Sequence, residues 1–315
     1  MTSLAKTISG KEYYYSQLVY FIFGKTKGFS KYIGLKKPSE AKLAEVEEKF
    51  RTELVEKLSG KKFTVENISK DDFIKALLFN QAFKKKFNSL TPMQKKKFEI
   101  DQTILFTLTT LTTEDVDVSL NDVKNALSKK SDFSMREQIS KNMINAVQEI
   151  KEGNKVDENY LLKLHKMTMA EFETKNPGQF RNKQVYLHKA DKDNPLGAEI
   201  AYRPPNHAEV PKRIEEFTEW YNSTSINPLE KASQAHARLY RIHPFLDGNK
   251  RICRLIFNKT LIDNGFPLLN VSEKKEQYFQ SLIESTEQNS PKQFTEFVLS
   301  EYLRQVKEFL KKVIL

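Results

Sequence analysis

The 315-residue sequence predicts a mainly α-helical protein with a short β-hairpin at its start and a second one late in the chain. Three observations carry that expectation. Apolar residues recur at three- and four-residue spacing through most of the chain. Residues 11–33, KEYYYSQLVYFIFGKTKGFSKYI, are instead rich in aromatic and β-branched side chains around a glycine turn. Residues 177–205 hold two short extended runs, QVYL at 184–187 and AEIAY at 198–202, on either side of a polar, glycine-containing loop.

The elements follow in order. In the first hairpin, Gly24 and Gly28 are expected to bracket the turn. Pro38 and Ser39 introduce a helix in which Leu43, Val46, Phe50, Leu54 and Leu58 share one face, and Gly60 closes it. Residues 70–89 and 92–108 repeat the pattern, and 36–150 reads as mainly helical. Two further helices fit 134–175, and others fit 209–222 and 228–242. In the last of these, Ala232, Ala235, Leu239 and Ile242 form one apolar stripe. Pro244 disfavours helical geometry at His243, so a loop should begin there before a new helix carries Arg251, Arg254, Leu255 and Ile256. The expected domains are 1–104, a hairpin and helical region, and 105–315.

Composition narrows the function classes. Lys and Arg exceed Asp and Glu by 11, but they are spread along polar helix faces among acidic residues, which weighs against nucleic acid as a partner. No apolar run approaches the roughly 20 residues of a membrane helix. The N-terminus lacks the apolar stretch of a secretion signal. The single cysteine, Cys253, allows no internal disulfide, which fits a reducing, cytoplasmic setting. The five histidines show no metal-binding spacing, and His188 and His236 read as structural.

The stretch HPFLDGNKRICR, 243–254, concentrates chemistry. It lies where a loop enters a helix, and a helix N-terminus offers unpaired amides and partial positive charge to an anion. Gly248 permits a tight or left-handed backbone there. Arg251 and Arg254, three apart, share a helix face and can aim at phosphate oxygens. Asp247 is an oxygen ligand suited to Mg2+ beside phosphates. His243 can take a proton from an attacking hydroxyl. Together they specify transfer of a phosphorus-centred group to an alcohol.

This stretch resembles the signature of the Fic-domain family, matching at His243, Pro244, Phe245, Asp247, Gly248, Asn249, Arg251 and Arg254. PGQFRNKQVYL, AYRPP, SQAHARLYRIHPF and YFQSLIESTEQNSPKQFTEFVL are similar to other family segments, so the resemblance covers roughly 105–310. It implies a Fic-type helical core with a β-hairpin flap. It implies ATP as co-substrate, Mg2+, and transfer of AMP to a Ser, Thr or Tyr of a target protein. By carry-over, His243 is the base, Phe245 packs the loop, and Asp247 holds Mg2+. Gly248, Asn249 and the amide of Lys250 line an anion hole, and Arg251 and Arg254 take the distal phosphates. Gln184, Val185, Tyr186 and Leu187 form the flap that aligns a target segment by strand addition.

Lys250 departs from the family, which usually has glycine there. Asn249-Lys250-Arg251 resembles the Doc toxins, which carry Asn-Lys-Arg, bind the nucleotide the other way round and move the γ-phosphate. Gly248, Arg254 and the long N-terminal region favour AMP transfer. Phosphoryl transfer, removal of AMP by the same site, and a catalytically silent scaffold are the alternatives. Upstream, Thr110 and Glu114 fit the spacing of the family's inhibitory helix, except that Asp115 replaces Gly or Asn. The resemblance pairs Glu114 with Arg254 as a brake. The competing expectation is an exposed acidic residue at a helix N-terminus. The target protein and the oligomeric state, including a homo-oligomer, are left open.

Overall fold

The computed structural model describes residues 3–188 and 200–312. The chain divides into two compact units, Met1–Ser89 with Tyr302–Leu315, and Leu90–Glu301. The border expected at 104 falls inside the helix Pro92–Thr112.

The first unit opens with a three-stranded antiparallel sheet in the order β1 (Ser3–Ile8), β2 (Lys11–Ile22), β3 (Lys25–Gly34). The sequence pointed to β2 and β3 but not to β1, whose six residues SLAKTI carry little pattern. The β2–β3 turn lies at Phe23 and Gly24, both with positive φ. Gly28 is not part of it: it sits within β3 opposite Val19. Period-two alternation buries Ser16, Leu18 and Tyr20 on one face of β2 and leaves Val19 and Phe21 exposed on the other. The buried face meets α1 (Glu40–Ser59) and α2 (Lys70–Asn88), and the Tyr20 hydroxyl donates to Asp71 of α2 at 2.6 Å. Ser39 and Ser69 cap these two helices by accepting amide protons from Lys42 and Asp72.

The second unit is helical except for one small hairpin. Its elements are α3 (Pro92–Thr112), α4 (Leu120–Ser128), α5 (Met135–Glu149), α6 (Glu158–Met169), β4 (Leu187–His188), β5 (Ile200–Tyr202), α7 (Val210–Ser223), α8 (Pro228–Ile242), α9 (Asn249–Asp263), α10 (Lys275–Glu287) and α11 (Lys292–Lys312), whose last turns belong to the first unit. Helix α9 is buried all round: Ile252, Cys253, Leu255, Ile256 and Phe257 are each at most 1% exposed. A helix buried on every side along most of its length lies at the centre of its bundle, and α9 packs against α8, α6 and α3. Its first turn is therefore held from several sides.

The β4–β5 hairpin confirms an excursion near 177–205 but is shorter than expected. Only Leu187 and His188 of the first run pair, with Tyr202 and Ile200, whereas Gln184, Val185 and Tyr186 precede the strand. The Gln184 amide instead donates to the carbonyls of Val185 and Pro204, tying the two roots of the hairpin together. Its loop, 189–199, lies outside the described residues. Among the described residues no helix is long and apolar enough to cross a membrane.

Candidate active site

Helix α8 ends where Pro244 requires. His243 adopts the left-handed conformation (φ 49°, ψ 58°), its N–H closing the helix on the Leu239 carbonyl at 2.9 Å. Five residues on, Gly248 (φ 73°) turns the chain into α9. A Cβ there would stand 2.6 Å from Met169 Sδ, so both the backbone angle and the space demand glycine. No side chain caps α9, in contrast to the Ser, Thr, Asp or Asn caps of α1–α6 and α8. The first amides of a helix that is otherwise buried are left for another acceptor.

The Asn249 side chain is turned into the loop. Its carboxamide does not face an anion: Nδ2 donates to the Phe245 carbonyl at 2.8 Å and Oδ1 accepts from the Phe245 amide at 2.9 Å. This reciprocal pair fixes the loop's curvature and leaves only the Asn249 backbone for a ligand. Phe245 is fully buried and anchors the loop in the core.

His165, on α6, is a site residue that sequence reasoning missed. Its ring stacks on Phe245 with centroids 3.7 Å apart and planes 8° apart. Nδ1 accepts from the Gly178 amide at 3.0 Å, so the proton is on Nε2, which donates to the Asp247 carbonyl at 3.1 Å. Burial pushes its pKa down to about 4, keeping the ring neutral and this tautomer intact. No local pattern signals the role, because the Asp247 carbonyl it binds lies 82 positions away.

His243 is 9% exposed. Nδ1 lies 3.3 Å from the Tyr240 carbonyl, which can only accept, so Nδ1 carries the proton and Nε2 the lone pair. Burial, assisted by Arg181 and Lys250, brings its pKa down to about 4. The imidazole is therefore neutral at physiological pH and free to accept a proton.

Arg251 and Arg254 come together as expected, and both meet the same carboxylate. Glu114 Oε1 accepts from Arg254 Nη2 at 2.7 Å, and Oε2 lies 2.9 Å from Arg251 Nε. All three side chains are at most 7% exposed. Arg254 also donates to the Thr110 carbonyl at 3.0 Å, while its Nε finds no acceptor among the described residues. Glu114 is neither exposed nor at a helix N-terminus: it follows the C-terminal end of α3, where the helix dipole repels a carboxylate. The two guanidinium groups offset that repulsion. Lys250 turns its ammonium over the Phe279 ring of α10, 4.9 Å from the centroid, leaving its amide on the α9 terminus; burial pushes its pKa down.

Asp247 is half-exposed. One carboxylate oxygen accepts from the Gly248 amide at 2.6 Å and the other is 3.9 Å from Lys175. Among the described residues no cluster of three or more His, Cys, Asp or Glu could hold a metal alone. A single carboxylate fits Mg2+ that completes its shell with water and phosphate oxygens.

A sequence model of the Fic/DOC family matches residues 155–261, the stretch from α6 through α9. That stretch, about a third of the chain, is what resembles the Fic/DOC family. The protein adenylyltransferase Fic of Drosophila willistoni is 27% identical over 141 residues, 44% of this chain and 26% of that protein. That of Drosophila erecta is 28% identical over the same share. The chain thus spans about a quarter of the length of these relatives. Among solved structures, a Fic-family protein from Desulfovibrio desulfuricans superposes with a TM-score of 0.64 at 20% identity, covering 78% of this chain and 76% of that one. A Fic-domain-containing signalling protein from Bacteroides thetaiotaomicron gives 0.63 at 20% identity, with 75% and 96% covered. At that identity the likeness is one of fold, and the Fic fold is the mainly α architecture that the sequence predicted.

Proposed function

We propose that the chain transfers AMP from ATP to a hydroxyl side chain of a target protein. The observation that carries this reading is the convergence of an uncapped α9 terminus, two buried arginines and a neutral His243 on one twelve-residue span. The terminal amides and Gly248 cradle the phosphates that flank the reacting phosphorus, while Arg251 and Arg254 hold the distal ones. His243 Nε2 takes the proton of the incoming hydroxyl as its oxygen attacks the α-phosphorus, and pyrophosphate leaves. Asp247 would hold Mg2+, which neutralises phosphate charge when bound. The target's backbone pairs with the hairpin that begins at Leu187, the preceding Gln184, Val185 and Tyr186 guiding it in.

Glu114 acts as a brake in this reading. Its carboxylate occupies the guanidinium donors that distal phosphates need, so the resting chain holds ATP weakly or unproductively. Asp115, where relatives have Gly or Asn, points to the exposed side and pairs with Lys275 rather than with the arginines.

The reading is tested by incubating the Glu114→Gly protein and lysate with α-labelled and, separately, γ-labelled ATP, with His243→Ala as control. Label from the α position, lost in the histidine variant, is expected. Label from the γ position alone would replace this reading with phosphoryl transfer, to which Lys250 inclines the motif. Label from neither would leave a binding scaffold.

A further inference from the structure

Outside the signature, Arg181 is a buried side chain that links it to the flap, two residues before the flap's first root. It is 2% exposed. Its Nε donates to the His243 carbonyl at 2.8 Å, Nη1 to the Lys183 carbonyl at 3.2 Å, and Nη2 to the Pro205 carbonyl at 2.5 Å. Its backbone amide donates to the Pro244 carbonyl at 2.9 Å. Lys183 and Pro205 are the incoming and outgoing roots of the flap, while His243 and Pro244 begin the catalytic loop. One guanidinium thus spans both structures.

Among the described residues every acceptor it finds is a carbonyl and none is a carboxylate. Burying a cation without a counter-ion is costly. A lone staple between two segments needs only a neutral amide. Three carbonyls in different directions need the planar fork. One of the three belongs to a non-glycine residue in left-handed geometry, a conformation that persists only when its surroundings enforce it.

We propose that Arg181 is a positioning residue that sets the angle between the flap and the His243 imidazole, and so between the target hydroxyl and its base. The proposal rests on the transferase reading above. It separates two functions of the site. The phosphate cradle is built on α9 with Arg251 and Arg254, and none of the Arg181 fork's hydrogen bonds among the described residues goes to α9. Alignment of the target is built on Arg181.

The test compares Arg181→Met and Arg181→Lys in the Glu114→Gly protein. Arg181→Met is expected to lower kcat for target labelling by about 100-fold, the scale of a misplacement near 1 Å, with the Kd for MgATP unchanged by calorimetry. Arg181→Lys, which keeps the charge and some donors, is expected to restore part of that loss. In 15N-histidine-labelled protein, the His243 ring resonances are expected to shift in Arg181→Met while those of His236 stay in place. Unchanged kcat, or parallel loss of MgATP binding and turnover, would overturn the proposal. If the parent protein neither binds nor turns over ATP, the transferase reading fails. The histidine resonances then still decide the linkage, and an unmoved His243 signal refutes it.

Discussion

Glu114 and Arg254 are 140 positions apart in sequence and meet carboxylate to guanidinium at 2.7 Å inside the protein. Arg251 shares the other oxygen. The pair is buried, so removing one partner strands charge. We predict that Glu114→Gln destabilises the fold by about 3 kcal/mol, the scale for breaking a buried ion pair. Excess pyrophosphate should return part of that stability by supplying the missing anion. Thermal melts with and without pyrophosphate check both effects; an unshifted melting temperature would mean that the two arginines are already solvated.

Gly248 answers to two constraints, a φ of 73° and Met169 Sδ 2.6 Å from any added Cβ. Gly248→Ala should cost about 2 kcal/mol, since left-handed backbone alone costs an alanine roughly 1–2 kcal/mol and the sulfur must also move. Adding Met169→Ala should relieve the contact but not the backbone strain, so the double variant should remain weak in nucleotide binding. Urea unfolding and nucleotide titration of both variants measure this.

The buried imidazoles predict acid lability. His165 and His243 have pKa values brought down to about 4, and that of His236 lies well below its ordinary value; burial is the leading cause for each. The folded chain therefore binds fewer protons than the unfolded chain between these values and the ordinary one near 6.5. Stability is full above pH 6.5 and falls as pH drops toward 4, each imidazole contributing up to about 1.4 kcal/mol per pH unit. Replacing His236, which hydrogen-bonds the Tyr278 hydroxyl at 2.8 Å, with Gln should flatten the slope. Denaturant titrations from pH 7 to 4.5 would show a flat profile if these rings were charged in the fold.

His165 offers a separate check on the loop. Phe at this position keeps the stack on Phe245 but removes the bonds to Asp247 and Gly178. His165→Phe should lose about 1–3 kcal/mol for the unsatisfied groups and weaken nucleotide binding more than His165→Asn does. Wild-type binding in the Phe variant would show that stacking alone holds the loop.

How much was legible before the fold was known follows from sequence distance. The loop's candidate residues are close in sequence, so His243, Gly248, Arg251 and Arg254 could be singled out from twelve consecutive positions, and proline placed the helix end correctly. The α8 stripe was readable because Ala232, Ala235, Leu239 and Ile242 obey one period, and all four are buried. The residues missed, His165 and Arg181, act through backbone carbonyls 82 and 62 positions away. A carbonyl acceptor leaves no mark on sequence, because every residue has one. The Asn249 side chain closes on Phe245 four positions back, a pairing that sequence alone does not distinguish from a side chain that faces a ligand. Strand β1 was invisible because SLAKTI lacks alternation strong enough to outweigh a chain start.

The central claim is that the two arginines hold distal phosphates whenever Glu114 releases them. Calorimetric titration of MgATP into the wild-type, Glu114→Gly and Glu114→Gly/Arg254→Ala proteins tests it most directly. The account predicts markedly tighter binding on removing the carboxylate, and loss of that gain when Arg254 is also removed. Equal affinity in all three proteins would contradict it.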